Sequence, residues 1–128
     1  MISRRIALAL VAVLPLALAS AASAEEKFTD AALAAAQKAG KPVLVEVAAP
    51  WCPTCQAQKP IIEGLAKNEK FKSFVFLKLD FDSQKDEQRK LNVRTQSTLI
   101  VFKGTNEVGR SIGDTNPQSV EALLAKAL

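Results

Sequence analysis

Short apolar runs alternate with stretches of helical spacing along most of this chain, and the alternation predicts a regular order of elements. Phe28-Thr29-Asp30 opens an alanine-rich helix to about Lys38, with Thr29 or Asp30 as its N-cap and Gly40 as its stop. Pro42 starts a strand, Val43 to Ala48, whose nearly continuous apolar character suits a central, buried position. A helix follows to about Asn68, with Pro60 inside it, where a missing backbone N–H should kink it. Phe74 to Asp80 reads as the next strand, and Asp82 or Ser83 should cap a polar helix through about Leu91. Thr98 to Lys103 and Glu107 to Ser111 read as a hairpin joined by Gly104-Thr105-Asn106. Asn116 caps a last helix with Pro117 at its first position and Val120, Leu123 and Leu124 on one face. The order αβαβαββα predicts an α/β domain, a compact four-stranded mixed sheet with helices on both faces.

The apolar run at the N-terminus is of another kind. Arg4 and Arg5 form a positive start, Ile6 to Ala19 an apolar stretch interrupted by Pro15, and Ala22-Ser23-Ala24 a small-residue cleavage signal. Residues 1–24 therefore read as an export signal cleaved after Ala24, with an uncleaved anchor as the alternative. The remainder, residues 25–128, is one domain bound for an oxidising compartment such as a periplasm. Without Arg4 and Arg5, fifteen basic side chains face thirteen acidic ones, a net charge of +2. The charges are interspersed, so nucleic acid is not an expected partner. Histidine and tyrosine are absent from the chain, which removes histidine bases and histidine-liganded metal sites. No cofactor or metal is expected, and a monomer is.

Trp51-Cys52-Pro53-Thr54-Cys55 carries the candidate chemistry. It holds both cysteines of the chain, directly after the Val43–Ala49 apolar run, with Cys52 at or near the first turn of the following helix. In a sheet of this kind, reactive groups tend to sit at the carboxyl ends of the strands. A disulfide closing so short a loop stabilises a fold by only about 2 kcal/mol on chain-entropy grounds. The pair is a poor staple and a good switch.

These residues resemble the thioredoxin superfamily over nearly the whole of residues 25–128. The similarity rests on Lys41-Pro42-Val43-Leu44-Val45-Glu46, on Trp51-Cys52-Pro53-Thr54-Cys55, on Pro60, and on Val93-Arg94 with Thr98 to Lys103. The resemblance implies a thioredoxin fold and thiol–disulfide exchange with protein substrates. It implies that Cys52 is an exposed nucleophile and Cys55 a buried resolving thiol, joined as a disulfide when oxidised. A helix N-terminus favours a thiolate, which agrees with that role for Cys52. Glu46 stands where the family carries a buried aspartate, implying a proton acceptor for Cys55; in a strand nearer an edge it would point to water. Trp51 would shield the thiolate and contact substrate, or pack as a half-exposed aromatic, or both. Pro53, Thr54, Gln96, Ser97 and Thr98 complete the implied substrate-binding set, and a membrane or periplasmic redox partner would recycle the pair.

Two departures from the family pattern change the expectation. Gln96-Ser97-Thr98 has serine where the family has a cis-proline before threonine. A cis bond there would cost about 3 kcal/mol, so a trans bond and an altered loop are expected. Only Glu25 to Phe28 precede the first helix, so the family's extra N-terminal strand should be absent or vestigial. Two other functions remain open. A homodimer could join two Cys-x-x-Cys pairs into a zinc or iron–sulfur site. A redox-inactive binding module would follow if Ser97 marks lost catalysis.

Overall fold

The computed structural model describes residues 25–128; the expected export signal lies outside them. Nine elements position the site: β1 Glu26–Lys27, α1 Asp30–Lys38, β2 Val43–Ala48, α2 Pro53–Ala66, β3 Val75–Asp80, α3 Lys85–Lys90, β4 Thr98–Lys103, β5 Asn106–Ile112 and α4 Pro117–Ala125. The strands form one sheet in the order β1-β3-β2-β4-β5. β3 is parallel to both β1 and β2, whereas β4 is antiparallel to β2 and to β5.

The sheet therefore has five strands where four were expected. β1 is the vestigial one, two exposed residues with no apolar pattern to announce them. Its place is set by Phe28, which is fully buried and donates its backbone N–H to Lys78 O at 2.8 Å. The other boundaries follow local chemistry. Thr29 caps α1 by accepting the Ala32 N–H at 2.9 Å, and Gly40 ends it in the left-handed region at φ +72°. Asn116 caps α4 by accepting from Ser119 N, and Pro117 follows at its first position. α3 differs from expectation: it starts after Gln84, and neither Asp82 nor Ser83 caps it. Ser83 instead bonds Asp80, and Asp82 accepts from Trp51. The hairpin turn is also tighter than expected, since β5 begins at Asn106.

Each face of the sheet carries its own core. Leu44, Phe76, Leu99 and Val101 pack with Ile62, Leu65, Val120, Leu123 and Leu124 of α2 and α4. Val43, Val45, Val47, Leu77, Leu79 and Ile100 pack on the opposite face with Phe28 and Ala36. β5 lies so close to α4 that a Cβ on Gly109 would come within 2.6 Å of a Leu123 methyl. β2 is buried at every position, although its partners run in both directions. On the α2 side its residues read Leu44, Glu46, Ala48, and their β3 partners read Phe76, Lys78, Asp80. That face is apolar at the start of the strands and polar toward their carboxyl ends. The candidate site lies there.

Candidate active site

Two elements place the cysteines. β2 ends at Ala48, and after a tight turn in which Cys52 N–H donates to Ala49 O, α2 begins at Pro53. Cys52 is the N-cap, and its Sγ accepts the Cys55 backbone N–H at 3.1 Å. This is the geometry of a serine or aspartate cap with sulfur in place of oxygen. Cys55 is one helical turn on, and the pair forms a disulfide with Cα atoms 5.3 Å apart. Cys52 was expected to be exposed; its relative exposure is 1%. Its sulfur is enclosed by Ser97, Ala48, Ala49 and Cys55, with Phe81 packed alongside.

Around Cys52 the contacts are fixed and uncharged. The Ser97 hydroxyl lies 3.2 Å from Cys52 Sγ and 3.4 Å from Cys55 Sγ. Ser97 has φ +62°, the left-handed region, which costs a non-glycine residue about 1–2 kcal/mol. Its own backbone offsets that strain: Ser97 N–H donates to Val47 O at 2.8 Å, and Ser97 O accepts from Gly113 N–H at 3.0 Å. The buried Gln58 amide donates to Ser97 O at 3.2 Å and to Asp114 O at 3.0 Å. At about 1 kcal/mol each, these bonds outweigh the strain. The Gln96–Ser97 bond is trans, as expected. Thr98 is buried at the start of β4, with its hydroxyl donating to Thr95 O at 2.8 Å. Gln96 is half-buried beside it, and no hydrogen bond within the described residues uses its main chain.

The rim is apolar. Trp51 is 57% exposed, and its indole N–H donates to the Asp82 carboxylate at 3.0 Å while its ring meets Phe81 edge-on at 6.3 Å. Pro53 is exposed and Thr54 half-buried. Ile112, 65% exposed, pairs in register with Thr98, the residue after Ser97. Sequence reasoning missed it because its strand was expected to stop at Ser111.

Around Cys55 the surroundings are charged. A cavity of about 470 Å³ opens beside it, lined among others by Glu46, Lys78, Asp80, Lys59 and Glu25. Glu46 is buried at 3% exposure, in the interior strand rather than at an edge. Burial first, and the nearby Glu25 carboxyl second, push its pKa up from 4.5 to about 8, with Lys78 opposing. Lys78 in turn stands 3.9 Å from the Glu25 carboxylate. Glu25 had no signal in the sequence, since only the pairing of β1 with β3 carries it to the cavity.

With the two sulfurs set between a fixed donor network and a titrating carboxyl, the comparisons with known proteins decide the family. The thioredoxin family model matches residues 21–126.

The chain belongs to the thioredoxin family.

It is similar to Thioredoxin Asp f 29 of Aspergillus fumigatus, 34% identical over 101 residues that cover 77% of this chain and 91% of that protein. Thioredoxin-2 of Saccharomyces cerevisiae is 38% identical over 96 residues, covering 75% and 86%. The crystal structure of Trxlp from Edwardsiella tarda matches with a TM-score of 0.77 and 39% identity, covering 79% of this chain and 98% of that one. A thioredoxin fold with a Cys52–Cys55 disulfide at the end of β2 is that of a thiol–disulfide oxidoreductase. Among the described residues no group of three or more histidine, cysteine, aspartate or glutamate side chains is arranged to hold a metal ion.

Proposed function

We propose that this protein is an exported thiol–disulfide oxidoreductase, cleaved after Ala24, that exchanges the Cys52–Cys55 pair with disulfides and thiols of other proteins in a periplasm. The observation that carries the assignment of roles is the asymmetry of the two sulfurs. Cys52 is the helix cap and receives the Cys55 N–H, so a negative charge on it is stabilised by the helix end. Cys55 has the cavity and Glu46.

Oxidation of the dithiol then proceeds in two steps. The Cys52 thiolate attacks one sulfur of a substrate disulfide, forms a mixed disulfide and expels the other sulfur as a thiolate. Cys55 gives its proton to the Glu46 carboxylate and attacks Cys52 Sγ. The internal disulfide closes, the second substrate thiolate leaves, and two electrons have passed to the substrate. Afterwards Glu46 holds the proton, which agrees with a pKa of about 8 in this oxidised form. In reverse, protonated Glu46 supplies the proton to Cys55 as an incoming thiolate opens the bridge at Cys52. The chemistry runs in either direction, and the potential of the redox partner sets which.

Substrate docking uses the rim of Trp51, Pro53 and Thr54, together with Ile112, for apolar contact. The free main chain of Gln96 pairs with an extended substrate segment beside Ser97 and Thr98. Ser97 occupies the family's proline position in this reading, and it leaves that backbone available. The test is a pair of variants in an assay with a disulfide-bonded protein. Cys55→Ser should accumulate a mixed disulfide with substrate on Cys52, and Cys52→Ser should form none and lose turnover. Trapping on Cys55 instead would reverse the roles. Export is tested separately by the N-terminal sequence of protein recovered from the periplasmic fraction, which should begin at Glu25.

A further inference from the structure

The Ser97 hydroxyl is buried, and within the described residues its hydrogen-bond partners are the two sulfurs, at 3.2 and 3.4 Å. Neither sulfur carries hydrogen in the disulfide, so the hydroxyl is the donor in both contacts. A neutral disulfide sulfur is a weak acceptor, whereas a thiolate is a strong one. A group whose backbone is held by three hydrogen bonds in a strained conformation, aimed at atoms that bind it poorly in this state, is built for the other state.

We propose that Ser97 is a catalytic residue of the exchange reaction, a hydroxyl donor to whichever sulfur carries the negative charge. The proposal rests on the reading of Cys52 and Cys55 as the exchanging pair. In the dithiol form Ser97 Oγ–H donates to the Cys52 thiolate alongside the Cys55 N–H, so two donors converge on one sulfur. When an incoming thiolate attacks Cys52, the Cys52–Cys55 bond breaks and its electron pair goes to Cys55 Sγ. The same hydroxyl, 3.4 Å from that sulfur, then turns its proton to it. No proton is transferred from Ser97 in either step. Because the donor binds thiolate better than disulfide, it shifts the equilibrium toward the dithiol and makes the pair more oxidising.

The test uses Ser97→Ala, which removes only the hydroxyl, and Ser97→Gly, which also relieves the left-handed strain. Both are equilibrated with glutathione buffers, and the Cys52 thiolate fraction is followed against pH by its rate of alkylation. Expected is a fall of about tenfold in the reduction equilibrium constant, about 30 mV for a two-electron couple, in both variants. The pH at which Cys52 becomes reactive should rise in both. Equilibrium constants unchanged from the parent in both variants, or a change in Ser97→Gly alone, would overturn the proposal; the latter would assign the effect to backbone strain. A parent protein that reaches no equilibrium with glutathione overturns the exchanging pair and the role of Ser97 together, which separates that failure from failure of Ser97 alone.

Discussion

The two sulfurs of one disulfide, Cα atoms 5.3 Å apart, live in different surroundings. On the Cys52 side the polar contacts are neutral and fixed: the Cys55 N–H at the helix start and the Ser97 hydroxyl, which also reaches Cys55 Sγ. On the Cys55 side lie a cavity and the Glu46 carboxyl, whose pKa burial and Glu25 raise and Lys78 opposes. Fixed dipoles stabilise a charge that must persist, and they do so without titrating. A carboxyl with a displaced pKa serves where a proton must come and go. In the exchange proposed above, this difference is what would keep Cys52 as the thiolate and Cys55 as the protonated thiol.

The largest break in that comparison is loss of Cys52. Cys52→Ser should reduce turnover to below about one-thousandth of the parent, because no second sulfur stands at the helix cap. Steady-state kinetics on a disulfide-bonded protein measures this. Glu46→Gln comes next. It should slow closure of the internal disulfide by at least about tenfold, read by rapid-quench detection of the mixed disulfide, while leaving the first attack near the parent rate.

The same carboxyl makes stability depend on pH. In the folded oxidised protein Glu46 titrates at about 8 against an ordinary 4.5, so between those values the folded state binds the extra proton. Stability should therefore be highest below pH 4.5 for this group and fall as pH rises toward 8, by at most about 5 kcal/mol. Denaturant titrations of oxidised parent and Glu46→Gln across that window should show a slope in the parent that the variant lacks. Smaller still, Glu25→Gln and Lys78→Gln should move the Glu46 midpoint in opposite directions, down and up respectively, because the first removes repulsion and the second attraction. The smallest effect is on the fixed side. Trp51→Phe removes the indole bond to Asp82 at an exposed position and should lower stability by at most about 1 kcal/mol, seen as a small fall in denaturation midpoint.

What was legible in the sequence was what local patterning determines. β2 was readable because all its residues are buried and apolar but one, and α4 because asparagine and proline mark its start. β1 was not readable, since Glu26 and Lys27 form a strand only by borrowing the edge of β3 next to buried Phe28. The start of α3 was misplaced because Asp82 and Ser83 spend their acceptors and donors on Trp51 and Asp80. At the site, spacing placed Cys52 and Cys55 at the end of a strand. Glu25 and Ile112 reach it through strand pairings, and Gln58, one turn after Cys55 on α2, acts there through its bond to distant Ser97; neither leaves a mark on local sequence. The burial of Cys52 was missed for the same reason, as Ser97 approaches it from 45 residues away.

The central claim is that the two thiols are chemically divided, and the most direct measurement is the pH dependence of alkylation of each cysteine in the reduced protein, resolved by mass spectrometry. Cys52 should become reactive at a pH well below the free-thiol value of about 8.5, and Glu46→Gln should leave it there. Cys55 should become reactive only at higher pH, and Glu46→Gln should move it. Two cysteines titrating together, or Cys55 reacting first, would contradict that division.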